Sequence, residues 1–174
     1  MASSNGCATW PPASMLPSEP VAAGPGTAPL EMRDVTLAEI GDLRARVLRS
    51  HLPGTPASAP SDNLPQTWHV GAFRGAQVVG TVTAFPEPAP GHPGTPAHRF
   101  RFMAVEPSEQ GTGVGTALMN EVVAGARARG SRLLWANGRD SSLEFYTRLG
   151  FEVVGDGFND TTSHLPHHVV IRDL

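Results

Sequence analysis

Three glycines stand close together where a predicted strand gives way to a predicted helix. They are Gly111, Gly113 and Gly115. Glycine has no Cβ, so the backbone can approach a ligand closely, and the first N–H groups of a helix have no partner within it. These features predict an anion site well suited to phosphate groups. The same glycines would also suit a tight strand-to-helix turn without a ligand.

Two common phosphate motifs do not fit this stretch. A Walker A loop requires Gly-Lys before Ser or Thr, and no lysine is present. A dinucleotide-binding fingerprint requires a third glycine at position 116, which is Thr116. It also requires an acidic residue about 20 positions later, near Ser131, where none stands. Both nucleotide-binding classes are therefore disfavoured.

A second pattern follows the glycines in a recognisable order. Residues 110–115, Gln-x-x-Gly-x-Gly, resemble the acyl-CoA pyrophosphate motif of the GNAT N-acetyltransferase superfamily. Residues 145–151, Phe-Tyr-x-x-x-Gly-Phe, resemble its second signature, and the two motifs have the expected order and spacing. The resemblance covers about residues 30–174.

The end of the chain resembles one bacterial branch of that superfamily. Residues 135–139 read Trp-Ala-Asn-Gly-Arg and residues 165–168 read Leu-Pro-His-His, like the "W-x-N-x-R" strand and terminal "PH" of that branch. One position departs from the wider superfamily. An asparagine commonly lies seven residues before the tyrosine, where this chain has Arg139, and Asn137 lies two residues earlier.

The resemblance implies acetyl-CoA as co-substrate. It places the pyrophosphate on backbone N–H groups of the glycine-rich stretch and the pantetheine arm beside a splayed strand. The residues that it implies in binding acetyl-CoA are Met103, Ala104, Val105, Gln110, Gly111, Thr112, Gly113, Val114, Gly115, Thr116, Arg139, Ser142 and Tyr146.

The implied reaction is direct attack of a primary amine, on a small molecule or a peptide, on the thioester in a ternary complex. It requires a proton acceptor for the amine and an acid for the leaving thiolate. Tyr146 is the natural acid, because a phenol, with a pKa of about 10, stays protonated to a higher pH than a thiol, with a pKa of about 8.5. Its ring could instead serve only for packing. His167 is the first candidate for the base, with His98 and His168 as alternatives.

A non-catalytic acyl-CoA-binding module is the alternative function, and the presence of Tyr146 favours catalysis over it. No metal is expected, because the histidines near the end of the chain lack a suitably spaced acidic partner. These histidines are His164, His167 and His168.

Arginines supply the remaining candidates for contact with substrate. Strand alternation predicts that Arg99 and Arg101 share a side with Met103, although neither arginine can accept a proton. Three more arginines on the first helix either pair with an acidic substrate group or form a solvated helical face, and the solvated face is favoured. They are Arg44, Arg46 and Arg49.

The elements that must position these residues follow from periodicity and caps. Thr36 and Glu39 form a capping-box pattern that opens the first helix, and Arg74-Gly75-Ala76 joins two strands as a hairpin. Helices are predicted over 113–129 and 140–149. Strands are predicted over 30–35, 67–73, 77–85, 98–105, 132–137, 151–154 and 167–171. The class is α/β, and the resemblance implies a mixed, mostly antiparallel sheet with a central splayed strand pair and helices on both faces.

Length and composition indicate how the chain is divided into domains. The 174 residues suit one domain, and six of the 17 prolines lie in residues 1–29, which lack Lys and Arg. We predict a disordered extension over 1–29, with Trp10 as its one candidate contact, and an acyl-CoA-binding domain over 30–174. Cys7 is the only cysteine, so no disulfide forms within the chain.

Net charge and hydropathy limit the classes of partner and the cellular location to be expected. A net charge of −3 without basic runs argues against nucleic acid and anionic membranes. No signal peptide and no apolar run of about 20 residues is recognisable, so a cytoplasmic location is expected. Members of the superfamily are often dimers, so the resemblance leaves a homodimer open.

Overall fold

The computed structural model describes residues 28–174. Almost all of the extension predicted over residues 1–29, including Cys7 and Trp10, lies outside the described residues. Within residues 28–174, no helix combines the length and the apolar character needed to cross a membrane.

One seven-stranded sheet organises the described residues, with the strand order β1-β2-β3-β4-β5-β7-β6. All neighbouring strands are antiparallel except β4 and β5. The predicted mixed, mostly antiparallel sheet is confirmed. The elements are β1 (Leu30–Asp34), α1 (Leu37–Leu48), β2 (Trp68–Arg74), β3 (Gln77–Pro86), β4 (Ala97–Val105), α2 (Val114–Ala128), β5 (Leu133–Arg139), α3 (Leu143–Arg148), β6 (Glu152–Asn159) and β7 (Pro166–Asp173).

The start of α1 matches its sequence signal. The Glu39 carboxylate accepts hydrogen bonds from the Thr36 backbone N–H at 2.8 Å and from the Thr36 hydroxyl at 2.9 Å. The backbone hydrogen bond from Thr36 is the main reason that the pKa of Glu39 falls to about 2. Ile40 and Leu43 then bury the apolar side of the helix against the sheet.

Several boundaries in the C-terminal half differ from prediction. Strand β5 continues through Arg139 instead of ending at Asn137. Residues 140–142 form a 3-10 turn, so the predicted helix over 140–149 is shortened to α3. Strand β6 runs on to Asn159, because an irregularity in its pairing with β7 between Val154 and Phe158 accommodates the intervening glycines.

Helices cover both faces of the sheet, as predicted. On the α2 face, Phe100 and Met103 pack with Leu118 and its neighbours on α2. On the α1 face, Phe102 and Ala104 pack with Leu43. Side chains of β4 therefore reach both helices.

A bulge in β4 changes which side chains share a face. Phe102 has φ +53°, and the pairing of β4 with β3 shifts between Thr81 and Thr83. Strand alternation therefore breaks at Phe102. The Arg101 guanidinium lies over the Phe102 ring at 4.9 Å, on the α1 face, whereas Met103 lies on the α2 face. The prediction that Arg99 and Arg101 share a side with Met103 is wrong for this reason.

Strands β4 and β5 separate soon after they meet. They pair only from Ala97 to Arg99 on β4 and from Leu133 to Trp135 on β5. Beyond Arg99 the edge of β4 that faces β5 has no partner strand in the described part of the chain, while β5 stays paired with β7 as far as Arg139. The predicted splayed pair is confirmed, and the gap between the strands opens a cleft.

Candidate active site

A cavity of about 570 Å3 occupies the cleft between β4 and β5. Both sheet faces contribute to its walls. From the α2 face come the loop and first turn of residues 110–116, and from the α1 face come the end of α1 and the turn between β6 and β7. The cavity therefore connects the two faces through the gap in the sheet.

Residues 111–116, which we call the glycine loop, form one end of this cavity. Gly111 has φ +79° and Gly113, which precedes the first turn of α2, has φ +94°. Both glycines are exposed, and a Cβ at either would meet no atom within 4 Å. At Gly115, in contrast, a Cβ would lie 3.2 Å from the Met103 methyl carbon. The loop is thus open towards solvent yet seated tightly against β4, a shape that suits a phosphate group.

Most residues predicted to bind acetyl-CoA line the cavity, and two do not. The hydroxyl of Thr112 turns away and donates to the Glu109 carbonyl at 2.8 Å. The side chain of Val114 is fully buried in the core, so only its backbone could face a ligand. The predicted residues that line the cavity are Met103, Ala104, Val105, Gln110, Gly111, Gly113, Gly115, Thr116, Arg139, Ser142 and Tyr146.

Tyr146 combines a packed ring with a hydroxyl near β4. Its ring centroid lies 5.6 Å from that of Phe100 and 5.2 Å from that of Phe145. A Cβ at Gly138 would lie 3.1 Å from its ring carbons, so the glycine leaves room for the ring. The hydroxyl lies 4.0 Å from the Met103 sulfur. Burial raises the pKa of Tyr146 to about 12, so its proton is retained at neutral pH.

The three candidate bases lie in different surroundings, and only His167 lines the cavity. His98 is buried against Trp68 with its Nδ1 bonded to the Ser131 hydroxyl, and burial lowers its pKa. His168 pairs with Asp140 at 2.8 Å. Neither His98 nor His168 reaches the cavity.

The tautomer of His167 follows from its partner. Its Nδ1 lies 2.8 Å from the Leu165 carbonyl oxygen. A carbonyl can only accept, so Nδ1 carries the hydrogen, and in the neutral ring Nε2 is the acceptor. His167 is 7% exposed, and its ring stacks on Phe158 with a centroid distance of 6.1 Å. His167 can therefore accept a proton at Nε2.

Arg139 occupies the position where the superfamily commonly has asparagine. Its Nη2 donates to the Leu48 carbonyl at 2.9 Å, which ties the end of β5 to the end of α1. Asn137 lines the same cavity from β5. Burial is the main reason that the pKa of Arg139 is lowered, and the positive charge of Arg49 lowers it further.

The favoured solvated face on α1 is wrong for two of its three arginines. Arg44 is 1% exposed and pairs with the equally buried Asp62 at 3.2 Å, and Arg49 is 6% exposed and lines the cavity. Only Arg46 remains half exposed, paired with Asp42 at 2.7 Å. Arg44 is buried because residues 60–63 form a turn that brings Asp62 against α1, and no local signal in the sequence shows that contact.

The turn between β6 and β7 adds wall residues that the sequence did not single out. Asp160 accepts from the backbone N–H of Ser163 at 2.7 Å and from its hydroxyl at 2.8 Å, and both residues line the cavity. These bonds lower the pKa of Asp160 despite its partial burial. Asp-Thr-Thr-Ser is a turn signal in sequence, and nothing local relates it to a cavity. Within residues 28–174 no three His, Cys, Asp or Glu side chains converge as a metal set.

Solved acyltransferases share this fold. An acyl-CoA N-acyltransferase from Pseudomonas aeruginosa matches 83% of this chain and 99% of its own with a TM-score of 0.67 and 18% identity. An aminoglycoside 6'-N-acetyltransferase complexed with coenzyme A matches 82% of this chain and 96% of its own, with a TM-score of 0.61 and 17% identity. The architecture is that of the N-acyltransferases.

Sequence comparison identifies the family. The model of the Acetyltransferase (GNAT) family matches residues 39–151. An uncharacterized N-acetyltransferase of Bacillus subtilis (strain 168), YitI, is 22% identical over 130 residues, which are 75% of this chain and 87% of that protein. The chain belongs to the GNAT acetyltransferase family and is an acyltransferase.

Proposed function

We propose that this acyltransferase moves the acetyl group of acetyl-CoA to a primary amine of a small molecule or peptide, by direct attack in a ternary complex. One observation carries the proposal. Residues of the glycine loop, Tyr146 and His167 line one cavity at the split between β4 and β5. An anion cradle, a proton donor and a proton acceptor are the groups that such a transfer needs.

The glycine loop and the first turn of α2 would hold the pyrophosphate of acetyl-CoA. Positive φ at Gly111 and Gly113 turns the backbone around an open space, and the first N–H groups of α2 have no acceptor inside the helix. Gln110 donates to the Val105 carbonyl at 3.2 Å and thereby connects the loop to β4. When bound, acetyl-CoA supplies an activated acyl group as a thioester.

The free edge of β4 supports the second part of the proposal. Past Arg99 this edge has no partner strand among residues 28–174, so the backbone N–H groups that point to this edge near Met103–Val105 are available to a ligand in the cleft. A backbone N–H near the thioester oxygen would stabilise negative charge that develops there. The pantetheine arm would lie along the same edge.

His167 and Tyr146 would handle the two protons of the transfer. His167 would take a proton from the amine at Nε2, directly or through water, because its Nδ1 is held by the Leu165 carbonyl. Tyr146 would give its hydroxyl proton to the departing sulfur. The raised pKa makes Tyr146 a weaker acid than an ordinary tyrosine, and it also keeps the phenol protonated at neutral pH.

The test compares Tyr146→Phe with a neighbouring hydroxyl variant. Removing the phenol hydroxyl leaves the packed ring, and general acid catalysis contributes about 10²–10⁴-fold, so turnover should fall by that factor. Affinity for acetyl-CoA should change by less than about tenfold, since the lost interaction matters mainly in the transition state. Thiol release with a panel of amines measures turnover, and calorimetry measures affinity.

Thr147→Val is the matched control. It removes one hydroxyl from the same helix, at an exposed residue that bonds only the Glu144 carbonyl, and turnover should stay at the level of the unchanged chain. Equal turnover in Tyr146→Phe and the unchanged chain would show that another group protonates the sulfur. Binding of acetyl-CoA without thiol release for any amine would instead indicate a non-catalytic binding module.

A further inference from the structure

Positive charge is concentrated in the cavity walls. Four buried or half-buried arginines line the cleft, and among residues 28–174 the one carboxylate that lines it is Asp160. A fifth arginine, Arg148, is exposed and pairs with Glu144 at 2.8 Å. The four buried or half-buried residues, which we call the arginine cluster, are Arg49, Arg99, Arg101 and Arg139.

Two members of the cluster, one buried and one half-buried, lack a carboxylate partner among residues 28–174. Arg49 is 6% exposed. Among the residues that the structure describes, its Nη1 reaches only the Leu48 carbonyl at 3.3 Å and its Nε has no hydrogen-bond partner. Arg101 is half-buried on the α1 face, over the Phe102 ring. Neither arginine takes part in an ion pair among residues 28–174.

The acidic groups that face these arginines are engaged elsewhere. Asp160 is bonded to the backbone and hydroxyl of Ser163, and Asp62 is paired with Arg44. Glu87 is paired with Arg99 at 2.8 Å. Arginine does not lose its proton in proteins, and a buried charge without a partner is costly. The cavity is therefore built to receive a negative charge.

The α1 face separates this charge from the glycine loop. Arg101 and Arg49 belong to the side of the sheet that carries α1, whereas the glycine loop leads into α2 on the opposite side. An anion held by Arg49 and Arg101 is consequently a different group from one held by the glycine loop. In a ternary complex, the acceptor can supply that group.

We propose that the acceptor amine carries an anionic group, a carboxylate or a phosphate, which Arg49 and Arg101 bind on the α1 face of the cleft. This inference rests on the proposed acetyl transfer and adds the class of its substrate. Guanidinium groups bind both anions through paired hydrogen bonds, and the experiment distinguishes the two sources.

The test uses amines matched in size that differ in charge. Amino acids of several sizes are assayed beside their carboxamides, and phosphoethanolamine is assayed beside ethanolamine. The anionic member of at least one pair should have a kcat/KM about tenfold or more higher. The comparison with carboxamides underestimates the preference for the anion. The amine of a carboxamide is less basic than that of the amino acid, so a larger fraction of it is neutral and able to react. The chain has no lysine, so acetylation of its own lysine side chains adds no background.

Arginine variants then show which side chains cause the preference for the anionic amine. In Arg101→Gln the preference for the anionic amine should fall to near unity, while affinity for acetyl-CoA changes by less than about threefold. Arg49→Gln should also lower the preference for the anionic amine. If Arg49→Gln does not fold, Arg101→Gln, at a half-buried position, still tests the inference. Arg127→Gln, which removes a charge from the exposed side of α2, should keep the full preference.

The outcomes separate the two proposals. Neutral amines acetylated as well as their anionic partners would overturn the inference and leave acetyl transfer intact. Loss of acetyl-CoA affinity in Arg101→Gln would assign that arginine to the phosphates of the donor and also overturn it. If no amine releases thiol, acetyl transfer fails. Calorimetry of the same amines with the CoA-bound chain then decides the inference, because tighter binding of the anionic member supports it and equal or absent binding overturns it.

Discussion

Tyr146 shows how one residue meets two requirements. Its ring is held by aromatic neighbours and by the absence of a side chain at Gly138, so its position is defined by packing. Its hydroxyl reaches Met103 at the free edge of β4. The two interpretations of this tyrosine, packing and acid, are therefore compatible, because each concerns a different end of the side chain.

The single tyrosine makes its ionisation directly measurable. Phenolate absorbance in the near ultraviolet should report a pKa of about 12 in the folded chain and an ordinary value near 10 in denaturant. Between these values the folded chain holds a proton that the unfolded chain has lost, so stability should decrease as pH rises from about 10 towards 12. Titration of the folded chain near 10 would contradict the burial of the phenol.

Gly113 offers a second test at the scale of one residue. Alanine at φ +94° is strained even though its Cβ would meet no atom, and the strain should displace the N–H groups that face the cavity. Gly113→Ala should weaken CoA binding by about tenfold or more, equivalent to about 1.4 kcal/mol, as measured by calorimetry.

Gly130→Ala is the matched control for that substitution. Gly130 lies just past the opposite end of α2, has φ +81° and likewise has open space around its Cβ position. Both variants should lose comparable stability, and only Gly113→Ala should lose affinity. Unchanged CoA affinity in a folded Gly113→Ala chain would remove the pyrophosphate assignment.

At the scale of elements, a buried ion pair connects segments that are distant in sequence. Arg44 on α1 and Asp62 in the 60–63 turn are both about 1% exposed, and Arg44 also contacts Thr83 on β3. Taking away one partner leaves an uncompensated buried charge. The pair therefore holds the turn against α1 and the sheet.

Asp62→Asn should destabilise the chain by about 3–5 kcal/mol, because it keeps the shape of the side chain and leaves Arg44 unpaired. Denaturant unfolding measures the loss. Glu144→Gln is the control, since it breaks the exposed Arg148–Glu144 pair and should cost less than about 1 kcal/mol. A loss in Asp62→Asn as small as in the control would show that Arg44 finds water or another acceptor.

At the scale of the whole molecule, the split sheet joins two sets of groups. The glycine loop comes from the α2 face and the arginine cluster is reached largely from the α1 face, and both meet because β4 and β5 part after Arg99. The hydrogen bond of 3.0 Å from His51 to the Ser163 carbonyl links the end of α1 to the β6–β7 turn across this cleft. A closed sheet would keep the two sets apart.

The domain boundary can be tested on a shortened chain. The Arg74 guanidinium donates to the Ala28 carbonyl at 2.8 Å, so a chain that begins at residue 28 retains this contact with β2. We expect its melting temperature to stay within a few degrees of that of the full chain, as calorimetry would show. A large decrease would mean that residues before 28 pack on the domain.

The local elements and the two motifs of the site could be predicted from the sequence. The α1 cap, the β2–β3 hairpin, the glycine loop and Tyr146 all depend on residues a few positions apart, so their patterns are visible without a fold. The paired motifs also predicted the splayed sheet, through resemblance to a family.

Which side chains face the cavity depends on the folded arrangement and could not be predicted from the sequence. The bulge at Phe102 reverses the strand alternation that would place Arg101 beside Met103. Arg49, expected in solvent, is buried against the cavity, and His98, a candidate base, is buried away from it. Each of these outcomes depends on packing between segments far apart in sequence, which a local pattern does not contain.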